Sequence, residues 1–504
     1  MLSLPFAIFL LAWVTPFLSL PLVLTGAAGL WHWFRKTEFP VIPFLENRKI
    51  LLGAFLLAAL WVLASGIGGY AYQNFDHYYR NAILKDLVTR DWPVVVSGDS
   101  SSPTALVYYF GFFLLPALGG KLFLALGASS GAAMEAAWFL SYLLALGNIF
   151  AFYVLVSTWL GRFSLWPMVV LAGFSGLDLI PYLLYEVPEW MNDEFQTFAD
   201  KISPFMGLRH APNLEWSTLP WLNSSMTGLL FWVFNQSIAS LTFIAFFLAL
   251  PNRRGGLLFY AMLFLSSPFA AVALFPVMVW QLLRESGFRP AQVLRTLCSP
   301  LNLLALPVVL LIALFFQSNV SAGSSGFCFP ESFGQWLRLG VYFLTEYGIW
   351  LLLLERKWNA ELAILLGVVL LTSFVRLGGS NDFAMRTAIP LTIVLMLSLL
   401  RRWYAPETTR RWKILFVCVF AIGLATPLME FKRSLVYSGL TYANEIRHTS
   451  ETTFFSARPN EPEPDHFVRD ERLPSVFELE SRKDQCWKNF SGRTDSLFFR
   501  YLSR

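Results

Sequence analysis

The chain has 504 residues, of which 56 % are hydrophobic, 17 % aromatic and only 14 % charged. Ordinary soluble domains carry about 25 % charged residues, so this composition excludes a soluble fold, and apolar runs of about 20 residues indicate helices that cross a bilayer. The runs are continuous rather than alternating, which excludes a closed barrel, and the net charge of +5 is spread over connectors and indicates no nucleic-acid partner.

The predicted fold is all-α: a polytopic helical membrane protein with about 12 transmembrane helices. Residues 1–430 form the multipass domain and residues 431–504 a short extracytoplasmic tail. Residues 2–34 are apolar without a basic leader and read as a retained segment that Pro5, Pro16 and Pro21 kink or fold into a hairpin. Residues 50–67 run outward. The first long outer loop, 69–132, then holds the polar and aromatic stretch 69–103 and an interfacial or re-entrant helix over 104–123. The chain crosses back over 133–160, turns at Arg162, returns through 166–174, and stays outside through a second outer loop, 178–226. Later spans are expected over 227–250, 301–317, 336–354, 358–375, 387–400 and 414–429.

Orientation follows from the basic residues. Clusters at Arg35–Lys36, Arg48–Lys49, Arg253–Arg254, Arg284, Arg356–Lys357, Arg401–Arg402 and Arg410–Arg411 lie in short connectors, where Lys and Arg mark the cytoplasmic side. This parity places both long loops outside and predicts an integral protein of the bacterial inner membrane with an extracytoplasmic site. No internal repeat is evident, and pairing among Cys298, Cys328, Cys418 and Cys486 is not readable from spacing.

The stretch 69–103 interleaves Asp76, His77, Arg80, Asp86, Arg90, Asp91 and Asp99 with Tyr72, Phe75, Tyr78, Tyr79 and Trp92. Asp76 follows an outward helix closely enough to sit at the outer interface, where a carboxylate can accept a proton from a hydroxyl. The competing reading makes Asp76 the N-cap of the helix that follows. Arg80, one turn later, either contacts substrate or pairs with Asp76. Asp178 ends a short helix as a second outer acid. Glu215 and Trp216, with Asn235 further on, mix rings and amides, a composition suited to a sugar; an aromatic belt at the interface explains the rings equally well. Asp382 and Arg386 open a late helix. Arg386, or Arg376 before it, can hold a lipid phosphate, and a simple Asp382–Arg386 pair is the alternative.

These features resemble the GT-C-type integral membrane glycosyltransferases. The likeness rests on an acid in the first long outer loop (Asp76), the segment Ser102-Pro103-Thr-Ala-Leu-Val-Tyr-Tyr109 opening an interfacial helix, an acidic helix end (Asp178) and a late outer arginine (Arg386). It covers roughly residues 50–400 as architecture. The resemblance implies a polyprenyl-phosphate sugar donor, membrane lipids as surroundings, and an inverting displacement in which Asp76 activates the acceptor while Arg386 or Arg376 holds the phosphate. The cofactor is unknown: the chain reads Asn74-Phe-Asp76 where a metal-binding acid pair would stand, so a divalent metal has no clear ligand motif. Two other classes remain open: a transporter or flippase for a lipid-linked or small polar solute, and a non-catalytic member of an envelope-polysaccharide assembly.

Overall fold

Short polar side chains set several helix starts. Asn74 accepts from the Asp76 amide at 3.1 Å, Ser129 from Ala132 at 3.3 Å, Ser225 from Gly228 at 2.9 Å and Thr409 from Trp412 at 3.2 Å; each satisfies a donor left open by the first turn. The computed structural model describes residues 2–37, 43, 45–96, 103–186, 212–249, 256–320, 325–355, 358–377, 382–447, 475, 477 and 489–504. Asp99, Arg253–Arg254, Arg356–Lys357 and Cys486 therefore lie outside the described residues.

The first half contains α1 (Ser3–Trp13), α2 (Pro16–Lys36), α3 (Arg48–Ala64), α4 (Phe75–Thr89), β1 (Val95–Val96), β2 (Thr104–Leu106), α5 (Gly111–Ala125), α6 (Ser130–Trp159) and α7 (Trp166–Gly173). Helices α8 (Met226–Trp232) and α9 (Phe234–Ala249) follow, broken at Val233, and then α10 (Gly256–Leu263), α11 (Pro268–Glu285) and α12 (Pro290–Leu297). The run Pro300–Gln317 is α13. Strand β3 (Ser325–Phe327) precedes α14 (Phe333–Phe343), which continues through a π-helical turn, Leu344–Gly348, into α15 (Ile349–Leu353). Helix α16 (Ala360–Thr372), β4 (Val375–Leu377), α17 (Asp382–Tyr404), α18 (Arg410–Gly423), α19 (Ala425–Arg447) and β5 (Ser491–Arg493) complete the order.

Helix α6 is a central post, packed on α5, α9 and α3, while α17 packs on α16, α11 and α9. Both carry buried apolar faces: Ile149, Phe152 and Val156 on α6, and Ile389, Ile393 and Met396 on α17. Among the described residues, four helices are long and apolar enough to cross a membrane: α2, α6, α13 and α17. The bent pair Arg410–Gly423 and Ala425–Gly439, kinked by 43°, makes a fifth if it is one span. The expected twelve are not seen by this measure. Two expected spans are instead broken: 227–250 divides at Val233 into α8 and α9, and 336–354 passes through the π-helical turn Leu344–Gly348.

Two other expectations change. Residues 104–106 are a strand, and the helix begins only at Gly111, because Thr-Ala-Leu-Val-Tyr-Tyr is rich in β-branched and aromatic residues. Helix α5 then packs on α6, α4 and α1, with Phe112, Phe113 and Leu114 buried. The C-terminal segment is no free tail: β5 pairs antiparallel with β2 (Thr104↔Arg493, Leu106↔Ser491), and β1 lies on β2's other edge. Phe498 packs against Phe9 and Phe315, fastening residues 498–502 to α1 and α13.

The connectors sort into two groups. Asn319 bridges Gly492, and β3 pairs with β4, so the ends of α13 and α16 meet the first long loop and the C-terminal strand. Among the basic connectors, Arg162 lies over Tyr404, Arg401 over Trp159, and Arg402 pairs with Glu355 at 2.5 Å.

Candidate functional site

The first centre is built on α4. Asn74, not Asp76, is the N-cap, so the Asp76 carboxylate is released from capping and takes Arg80 Nη2 at 2.8 Å. Cap and pair together hold the first turn of α4 in place. Asn74 Nδ2 donates to Phe231 O at 2.8 Å, and a His77 ring nitrogen lies 3.0 Å from the same oxygen. Asn81 reaches Gln73, which reaches Gly66 O, so α4 is also tied to the end of α3. His77 stacks on Phe234 at 5.2 Å; burial, and then the nearby Arg80, push its pKa down to about 3. It is a neutral structural imidazole.

Arg80 is 4 % exposed, whereas Asp76 is 35 % exposed. The Arg80 guanidinium lies 5.2 Å from the Phe234 ring, a cation–π distance, and its Nε and Nη1 have no hydrogen-bond partner among the described residues. Such open donors on a buried cation are costly unless something fills them.

Arg386, on α17, repeats the pattern. Its Nη2 binds Asp382 Oδ2 at 2.8 Å, Nη1 donates to the Tyr109 hydroxyl, and Nε has no partner among the described residues. The guanidinium lies over the rings of Tyr109 and Phe269 at 5.6 and 5.8 Å. Tyr109 packs against Tyr108 at 3.7 Å, and Tyr108 feels the charge of both Arg80 and Arg386. Burial, followed by Tyr109, holds the Tyr108 hydroxyl well above its ordinary pKa. Asp76 in turn acts electrostatically on Arg386. Two arginines, two part-exposed carboxylates (Asp76 and Asp382) and two tyrosines thus share one electrostatic centre, with three guanidinium nitrogens that have no partner among the described residues.

Asp178 belongs to a second centre. It is 3 % exposed, and its Oδ2 accepts from Ser175 Oγ at 3.0 Å and Thr426 Oγ1 at 2.7 Å. Glu346, whose carboxyl takes Asn223 Nδ2 at 3.0 Å, acts electrostatically with it. Gly176 makes the approach possible, since a Cβ there would stand 2.1 Å from Glu346 Oε2. Glu215 accepts from the Ser225 amide at 2.9 Å; burial, then Asp178 and Glu430, raise its pKa to about 8. Glu430 binds Trp232 Nε1 and Arg433.

The candidate residues thus form two centres that share α8. Phe231 O anchors the α4 centre, whereas Ser225 and Trp232 engage the acids. Asp76, Arg80, Asp382 and Arg386 come together. Trp216 is 51 % exposed beside Glu215, and Arg376 is an exposed residue of β4 opposite Gly326. Asn235 is fully buried, and both polar atoms of its side chain are unpartnered among the described residues; the next residue, Gln236, shares that state. The sequence reading gave no site role to Tyr108 or Tyr109. The adjacent tyrosines at a strand end were the one local signal. Among the described residues, no group of three or more His, Cys, Asp or Glu side chains is placed to hold a metal. No family model matches the chain, and no curated protein or solved structure matches it either.

Proposed function

We propose that this protein is a membrane glycosyltransferase that moves a sugar from a polyprenyl-phosphate donor to an acceptor hydroxyl at the outer membrane face. One observation carries the reading: an accessible carboxylate, Asp76, stands beside two largely buried guanidinium groups that retain unfilled N–H donors. A lipid phosphate matches those donors in charge. In the reaction, Asp76 takes the acceptor's proton as its oxygen attacks the anomeric carbon. The bond from that carbon to the phosphate oxygen breaks, and the phosphate leaves with the electron pair. Arg386 and Arg80 stabilise the charge that develops there. The resting Asp76–Arg80 pair holds the carboxylate in place. Arg376 is not needed.

The outer-face placement rests on the parity of basic connectors, among which Arg162 lies over Tyr404, Arg401 over Trp159 and Arg402 against Glu355. A transporter is the second reading. The buried Asp178–Glu346 pair favours it, because that pair lies between an unwound stretch and a π-helical turn, as ion-coupled sites do. The test is label transfer from a radiolabelled polyprenyl-phosphate sugar by the purified full chain. Loss of label from the lipid, dependent on protein, supports the enzyme; retention of all label on the lipid rejects it.

A further inference from the structure

The start of α9 carries two fully buried amides, and all four of their polar atoms lack a partner among the described residues: Asn235 Nδ2 and Oδ1, Gln236 Nε2 and Oε1. Native proteins seldom leave buried polar groups unpaired, so each such group marks something still to be bound. Helical phase separates the two side chains. Asn235 shares a face with Thr242, seven residues on, which hydrogen-bonds Asn148 of α6 at 2.8 Å. Gln236 shares a face with Ser240, one turn on, whose hydroxyl meets that of Ser267 at 3.0 Å.

Ser267 immediately precedes α11, and Phe269 in the first turn of that helix lies under Arg386 and 6.2 Å from the Tyr109 ring. Helix α9 packs on both α11 and α17. Gln236 thus lies on the side of α9 from which Ser240, Ser267 and Phe269 lead to Arg386.

We propose that Gln236 reads the hydroxyls of the donor's sugar. The amide donates from Nε2 and accepts at Oε1, which matches adjacent hydroxyls that each do both. The assignment rests on the glycosyltransferase reading and adds to it a residue that recognises the transferred group. The competing explanation is an ordered water that satisfies the amide.

The test compares wild type with Gln236→Met, which keeps the side-chain length and removes both polar atoms. The full-length protein in lipid nanodiscs is titrated with polyprenyl phosphate and with polyprenyl-phosphate glucose, and thermal midpoints are measured without either lipid. Affinity for the glucose-bearing lipid should fall about 3- to 10-fold, the size of one neutral hydrogen bond. Affinity for the sugarless lipid should be unchanged, and the midpoint unchanged or higher. Gln236→Asn, which withdraws the amide by one methylene, should show the same selective loss. Equal effects on the two lipids, or none, would overturn the assignment and leave the water. A fall in the midpoint would show that the amide has a protein partner and would overturn it too. Wild type that binds neither lipid rejects the glycosyltransferase reading itself, an outcome distinct from failure of Gln236 alone.

Discussion

Asp76 acts on the guanidinium of Arg386 while holding Arg80 at 2.8 Å, so one carboxylate serves two cations from helices α4 and α17. The relationship joins the first long loop to a late helix. It also gives each arginine a carboxylate four residues earlier: Asp76 for Arg80, Asp382 for Arg386. Arg80 Nε and Nη1 and Arg386 Nε have no partner among the described residues.

Truncating Arg386 to alanine should weaken binding of polyprenyl phosphate about 10- to 100-fold, since hydrogen bonds to charged groups contribute roughly 1.5–3 kcal/mol. Arg386→Lys should recover little, because an ammonium cannot span Asp382, Tyr109 and a phosphate with one planar fork. Titration of nanodisc-embedded protein with the lipid measures both.

Spacing alone made much of this centre readable. The i, i+4 pairs Asp76–Arg80 and Asp382–Arg386 follow from helical geometry once the helices are placed. The cap was misplaced by two residues, because Asn and Asp are comparable caps and only the backbone shows that Asn74 has the extended conformation. The Asp178–Glu346 contact, the β2–β5 pairing and the Ser240–Ser267 contact are non-local. No periodicity in the chain encodes which distant segment meets which.

His77 predicts an acid-sensitive fold. Its folded pKa, about 3, lies below the ordinary 6.5, so its contribution to stability is fully present above pH 6.5 and is lost as pH falls toward 3. His77→Gln should remove that part of the pH dependence, read as thermal midpoint against pH.

Glu215 predicts the opposite slope. Its folded pKa is raised from 4.5 to about 8, so the folded state holds a proton that the unfolded chain releases. Its contribution is present below pH 4.5 and is lost as pH rises through 8. Glu215→Gln keeps an acceptor for the Ser225 amide and should flatten the decline between those limits.

Gly176 predicts a steric effect on the acid centre. A Cβ at 2.1 Å from Glu346 Oε2 and 2.3 Å from its Cδ cannot be accommodated without moving the carboxyl away from Asp178. Gly176→Ala should cost about 1–3 kcal/mol, the range for overpacking a filled interior, in a denaturation series. Gly367, which has open space around it, is the control position.

The most direct test of the central claim is transfer by Asp76→Asn, with donor binding and thermal midpoint measured on the same preparation. Asparagine keeps an oxygen for Arg80 Nη2 but cannot take the acceptor's proton, and positioned acid–base catalysis contributes about 10²–10⁴-fold. Transfer should therefore fall by that factor while the protein still binds polyprenyl phosphate and keeps its midpoint. An Asp76→Asn protein that transfers sugar at the wild-type rate would contradict the account and leave the Asp76–Arg80 pair a structural one.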